Sequence, residues 1–137
     1  MPSMLSGWLK VVGVVGGFLS IIGAAQAAGS WSASVPSVMV AMSDRESRSQ
    51  PIAPPNGAPV PDGMLDRIHW RLEAPPGAAI NAWLCHPEQC VALSGGRGTI
   101  TQLAGRQADA PLQFRFALRP GQRPVRVQGL NVIVNYQ

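Results

Sequence analysis

Beyond Met64 the chain alternates apolar and polar residues with a period of two, the pattern of β-strands that bury one face. In LQFRFALR, Leu112, Phe114, Phe116 and Leu118 fall on one side, and Gln113, Arg115 and Arg119 fall on the other, where Ala117 is the one apolar exception. The segment RIHWRLEA repeats this, with Ile68, Trp70, Leu72 and Ala74 inward and His69, Arg71 and Glu73 outward. LNVIVNY alternates again through Leu130, Val132, Val134 and Tyr136, and Val125 to Val127 supply a short partner before Gly129. No helical period competes with these runs.

The stretch NAWLCHPEQCVAL, Asn81 to Leu93, reads as a hairpin around a four-residue loop, His86-Pro87-Glu88-Gln89. That register sets Cys85 opposite Cys90, Leu84 opposite Val91 and Ala82 opposite Leu93. Ile80, Ala82, Leu84, Val91 and Leu93 then share the core face, and the two cysteines lie on the other face with Asn81, Trp83 and Ala92. Gly95, Gly96 and Gly98 mark a turn after it. They form no phosphate cradle, because no helix follows to hold an anion at its N-terminus.

Earlier in the chain, Trp31 to Val35 and Val38 to Met42 read as one strand interrupted at Pro36, or two strands separated there. Proline cannot donate to a ladder, so this element belongs at a sheet edge or at a kink between sheets. Residues 43–63 hold five prolines, at 51, 54, 55, 59 and 61, and read as a long extended loop; a PxxP ligand is the functional alternative. Strands are thus expected near 31–35, 38–42, 66–74, 79–85, 90–94, 99–103, 111–119, 124–128 and 130–136. Eight or nine short strands at this spacing predict an all-β fold, an antiparallel sandwich.

The N-terminus adds a compartment. Lys10, the apolar run VVGVVGGFLSII and Ala25-Gln26-Ala27 have the layout of a signal peptide over 1–27, which leaves one domain over 28–137. The run is short and rich in Gly for a span that takes about 20 apolar residues, so no membrane insertion is expected after cleavage. Lys10 is the only lysine; past it stand ten Arg against seven acids, a net of +3. The arginines are dispersed among acids, with no basic tract that could track a phosphate backbone, so nucleic acid is not an expected partner.

An oxidising compartment favours a disulfide between Cys85 and Cys90. A redox or metal pair within CHPEQC is the alternative. The spacing is wider than the CxxC of a redox dithiol, and zinc would need both thiols free. His69 and His86 stand apart from any nucleophile and acid that would make a triad, and Asp62 and Asp66 flank a loop-to-strand junction where a turn role suffices. No catalytic group, metal site or cofactor is therefore expected. The candidate interaction surface is Trp83, on the face away from the core, with the outward Arg71, Arg115 and Arg119.

Several pieces together carry a named resemblance: Trp70 to Leu72, Pro75-Pro76, Ala82 to Gly98 with its C-x-x-x-x-C, Leu112 to Phe116, and the ending Val132 to Tyr136. The chain resembles the flagellar protein FlhE family from about Met64 to the C-terminus. The resemblance implies a periplasmic β-sandwich, a disulfide between Cys85 and Cys90, no enzymatic activity, and a basal-body or export-apparatus protein as partner. It further implies a role in limiting proton leakage through the flagellar secretion apparatus. A chaperone for a rod or hook subunit and a glycan-binding module are the competing expectations.

Overall fold

The computed structural model describes residues 28–56 and 63–137. The expected signal peptide, Asp62 and two of the loop prolines, 59 and 61, lie outside the described residues. Among the described residues nine strands form two antiparallel sheets: β1 (Gly29–Val35), β2 (Val38–Val40), β3 (Ser47–Arg48), β4 (Leu65–Glu73), β5 (Ile80–His86), β6 (Gln89–Leu93), β7 (Arg97–Ile100), β8 (Gln113–Leu118) and β9 (Val125–Tyr136). One sheet runs β1-β9-β4-β7 with β2 also on β9, and the other runs β3-β8-β5-β6. Consecutive strands stay in one sheet only along β1–β2 and in the β5–β6 hairpin; the other connections cross the sandwich.

The core is the set of inward positions that the alternation marks. Phe114, Phe116, Leu118, Leu84 and Val91 from one sheet meet Ile68, Trp70, Leu72, Leu130, Val132 and Val134 from the other, all buried. Phe114 and Phe116 stack with ring centroids 6.1 Å apart. Each fully buried side chain of this size contributes about 1.5–3 kcal/mol, which pins every strand to one register, since a slip of one residue would turn its apolar set to water.

The last two expected strands are one. β9 runs unbroken through Gly129, whose φ of 66° marks a bulge: β4 advances from Arg71 to Glu73 while β9 goes from Asn131 to Gln128, one residue more. The extra residue flips the parity, so odd positions such as Val127 face in before the bulge and even positions such as Leu130 after it. β1 and β2 keep a continuous register along β9, Val35 opposite Leu130 and Val38 opposite Val127, so Pro36 lies beside the bulge on an outermost strand where its missing N–H costs no ladder bond.

Part of the proline-rich stretch is attached to a sheet. Ser47 and Arg48 pair with Phe116 and Arg115, and Ile52 bridges Leu112. Buried Ser49 fixes the crossing: its hydroxyl accepts from the Phe114 N–H at 3.0 Å and donates to the Gln50 carbonyl at 2.8 Å. The strand after the hairpin starts earlier than expected, at Arg97, because Gly98 is a strand residue. It faces Trp70, and a Cβ there would stand 3.0 Å from the indole, so the bare backbone makes room for the ring. Leu103 is buried in the following loop, which closes one end of the sandwich by placing the Ala108 carbonyl 3.1 Å from the Trp31 indole Nε1.

Candidate functional site

The hairpin has the expected register, Cys85 opposite Cys90, and the two form a disulfide. Its strands extend further than the sequence implies, to His86 and Gln89, leaving only Pro87 and Glu88 as the turn. Among the described residues none other than Gly has a positive φ, which excludes the mirror-image turns that match the twist of paired strands. Pro87, with φ held near −65°, imposes a turn of the ordinary hand, and the disulfide one residue pair away holds the strands together across it.

His86, expected in the loop, is instead a buried strand residue. Its Nδ1 accepts from the Glu88 N–H at 3.2 Å, and its Nε2 lies 3.2 Å from the Gln107 carbonyl, an arrangement that the neutral ring with hydrogen on Nε2 satisfies at both nitrogens. Arg106 reaches back to Glu88 at 3.5 Å and to the Gln89 side chain at 3.0 Å. The stapled tip is thereby tied to the loop between β7 and β8. The sequence signal was present, a His directly before Pro-Glu at a strand end, but its partners lie about twenty residues away.

The four candidate surface residues do not share one face. Trp83 and Arg115 are cross-strand neighbours in the centre of the β3-β8-β5-β6 sheet, on its outer side. Trp83 is half-buried there between Arg115 and Ala92 rather than standing free, and Arg115 has Glu46 at 3.8 Å. Arg119 follows β8 at the end of the sandwich, where its Nε donates to the Asn81 side chain at 3.2 Å. Arg71 projects from the outer side of the opposite sheet, directly across from Arg97 on β7. In the sequence Arg97 sits inside what reads as a glycine turn, so nothing local marks it as an outward strand residue.

Arg119 and Glu73 stand at the mouth of a cleft of about 500 Å³ between the ends of the two sheets, floored by Leu72, Ala74, Ile80, Ala82 and Leu93. Among the described residues no nucleophile or histidine lines it. His69 hydrogen-bonds the Thr99 hydroxyl at 2.8 Å on the outer face. Among the described residues no three His, Cys, Asp or Glu side chains gather as a metal site, and Asp66 forms an exposed contact with Arg67 at 3.2 Å.

Comparison with known proteins agrees with these features. The chain is 30% identical over 120 residues to the flagellar protein FlhE of Yersinia enterocolitica, covering 82% of this chain and 84% of that one. The crystal structure of FlhE superposes with a TM-score of 0.67 at 30% identity, over 80% of this chain and 97% of that one. The sequence profile of the family described as flagellar protein FlhE matches residues 38–137, so the chain belongs to the FlhE family.

Proposed function

We propose that this chain is exported to the periplasm and binds a flagellar basal-body or export-apparatus protein, where it limits proton leakage through the flagellar secretion apparatus. The observation that carries this reading is family membership over residues 38–137, and the Cys85–Cys90 disulfide supports an oxidising compartment. The two packed sheets, one of them stapled at its β5–β6 hairpin, present outer surfaces suited to a protein partner. The test is cytoplasmic pH after an external acid shift, in cells with and without the gene for this chain and with and without the export gate. Faster acidification in the deletion that disappears when the gate is absent is the expected result. Equal acidification in all backgrounds overturns the leak reading.

A second reading, a chaperone for a rod or hook subunit, rests on β1. Among the described residues this strand pairs only with β9, leaving a seven-residue edge available for strand addition. Protection of soluble rod or hook subunits from aggregation, without retention on assembled basal bodies, would favour it over the first.

A further inference from the structure

Building on the proposed binding role, we infer that the outer face of the β1-β9-β4-β7 sheet, centred on Arg71 and Arg97, is the docking surface, and that its occupant is a protein segment rich in Asp and Glu.

The Leu72 N–H donates to the Gly96 carbonyl, which makes Leu72 and Gly96 a hydrogen-bonded pair of the β4–β7 ladder. Arg71 and Arg97, the next pair, are therefore of the close kind, with Cα atoms about 4.5 Å apart and side chains on the same side. The His69 to Thr99 contact at 2.8 Å, two residues along, shows the same closeness. Like charges set directly opposite one another destabilise a sheet. Among the described residues neither guanidinium has a hydrogen bond or an ion pair. The contrast is Arg48 and Arg115 on the opposite sheet, also directly across from one another, where Glu46 stands 3.8 Å from Arg115.

The surroundings of Arg71 and Arg97 define the ligand. One row across the sheet reads Ser34, Asn131, Arg71, Arg97, and the next reads Ser32, Ile133, His69, Thr99. Neither row holds an acid; the next outward residue of β4 after Arg71 is Glu73, which lies across the bulge beside Gly129. A hollow of about 260 Å³ runs over Arg71, Arg97, Thr99, Asn131 and Ile133. A carboxylate placed there is approached by two planar five-donor forks, the geometry that binds carboxylates in pairs of parallel hydrogen bonds. The small serines leave the rest of the face flat, and Ile133, 42% exposed, adds an apolar contact at its middle. Within these two rows Ile133 is the one exposed aliphatic side chain, while Met39, 48% exposed, stands further along the same sheet across from Arg126; a flat patch of this kind around the arginine pair fits a folded or extended protein partner. A membrane surface would instead call for protruding apolar anchors beside the cations.

The test uses the full exported chain with labelled poly-glutamate as the acidic probe, vesicles containing phosphatidylglycerol, and isolated flagellar basal bodies. Arg71→Glu turns the repulsive pair into an opposite-charge pair, so it should fold at least as well as the wild type while binding poly-glutamate about tenfold or more weakly. Arg71→Glu/Arg97→Glu should abolish binding, and Arg48→Glu/Arg123→Glu, which makes the same change of charge on β3 and at exposed Arg123 in the β8–β9 loop, should leave it unchanged. No binding by the wild type, or equal loss in the control variant, overturns the inference. Binding to vesicles and not to the peptide also overturns it. On basal bodies, retention of wild type but not of Arg71→Glu supports both the surface and the proposed function. Equal retention of the two overturns the surface and leaves the function. Arginine-dependent peptide binding without retention on basal bodies leaves the surface and overturns that partner.

Discussion

Replacing Cys85 and Cys90 together by Ala opens a ring whose ends are five residues apart in sequence. In the chain-entropy account a ring of that size restricts the unfolded chain by about 2 kcal/mol. The native side adds to this. The turn at Pro87-Glu88 has no positive φ and works against the strand twist, so without the bond the hairpin loses the link that offsets a mismatched turn. Cys85, 3% exposed, also leaves a small void. Together these give about 2–3 kcal/mol, or a melting temperature lower by about 10 °C. Urea unfolding followed by tryptophan fluorescence measures it, and an unchanged m-value shows that the native surface is preserved. Restoring turn chemistry in the same background with Pro87→Asn/Glu88→Gly, the sequence of a type I′ turn, should recover roughly half of the loss. It sacrifices the contacts of the exposed Glu88 carboxylate with Arg106 and His86, which are worth little, and re-aims the Glu88 N–H that His86 accepts. A double-Ala variant within about 0.5 kcal/mol of the wild type would refute the reasoning, because the register would then be held by β8 and the core face alone. Failure of the Asn-Gly turn to help would refute the part assigned to the turn.

Other substitutions probe separate joints of the fold. Trp31→Phe keeps the buried ring and removes the bond to the Ala108 carbonyl, and should cost about 1–3 kcal/mol, with faster amide exchange across 101–110 by mass spectrometry. Gly129→Ala demands a side chain at φ 66° and sets its Cβ 3.2 Å from the Glu73 carboxyl carbon; a loss of about 1–2 kcal/mol in urea unfolding is expected, smaller for Gly129→Asn. Gly98→Ala pushes a methyl group against the Trp70 indole at 3.0 Å and should cost about 1–3 kcal/mol, with a shift in tryptophan emission if the ring is displaced.

Apart from β3, which lies in the stretch that reads as a loop, strand existence, the buried face of each strand and the hairpin register are properties of local alternation, and Ile68, Trp70, Leu72, Phe114, Phe116, Val132 and Val134 are all buried as their parity requires. The cysteine pair was legible for the same reason, since both residues belong to one hairpin. Three things needed the tertiary structure. Joining 125–128 to 130–136 through Gly129 depends on β1, β2 and β4 flanking both halves, and a glycine in isolation reads equally as a turn or a bulge. The burial of His86 depends on Gln107 and Arg106, brought to it by a loop that caps the sandwich. The distribution of arginines depends on strand order. Arg71, Arg115 and Arg119 look alike in sequence, yet most connections cross between sheets, so Arg115 meets Glu46 while Arg71 meets Arg97. Alternation specifies which side of a strand faces water because burial acts on each strand by itself; which charges become neighbours is a property of how strands pair, and that is decided only when the two sheets close on one core.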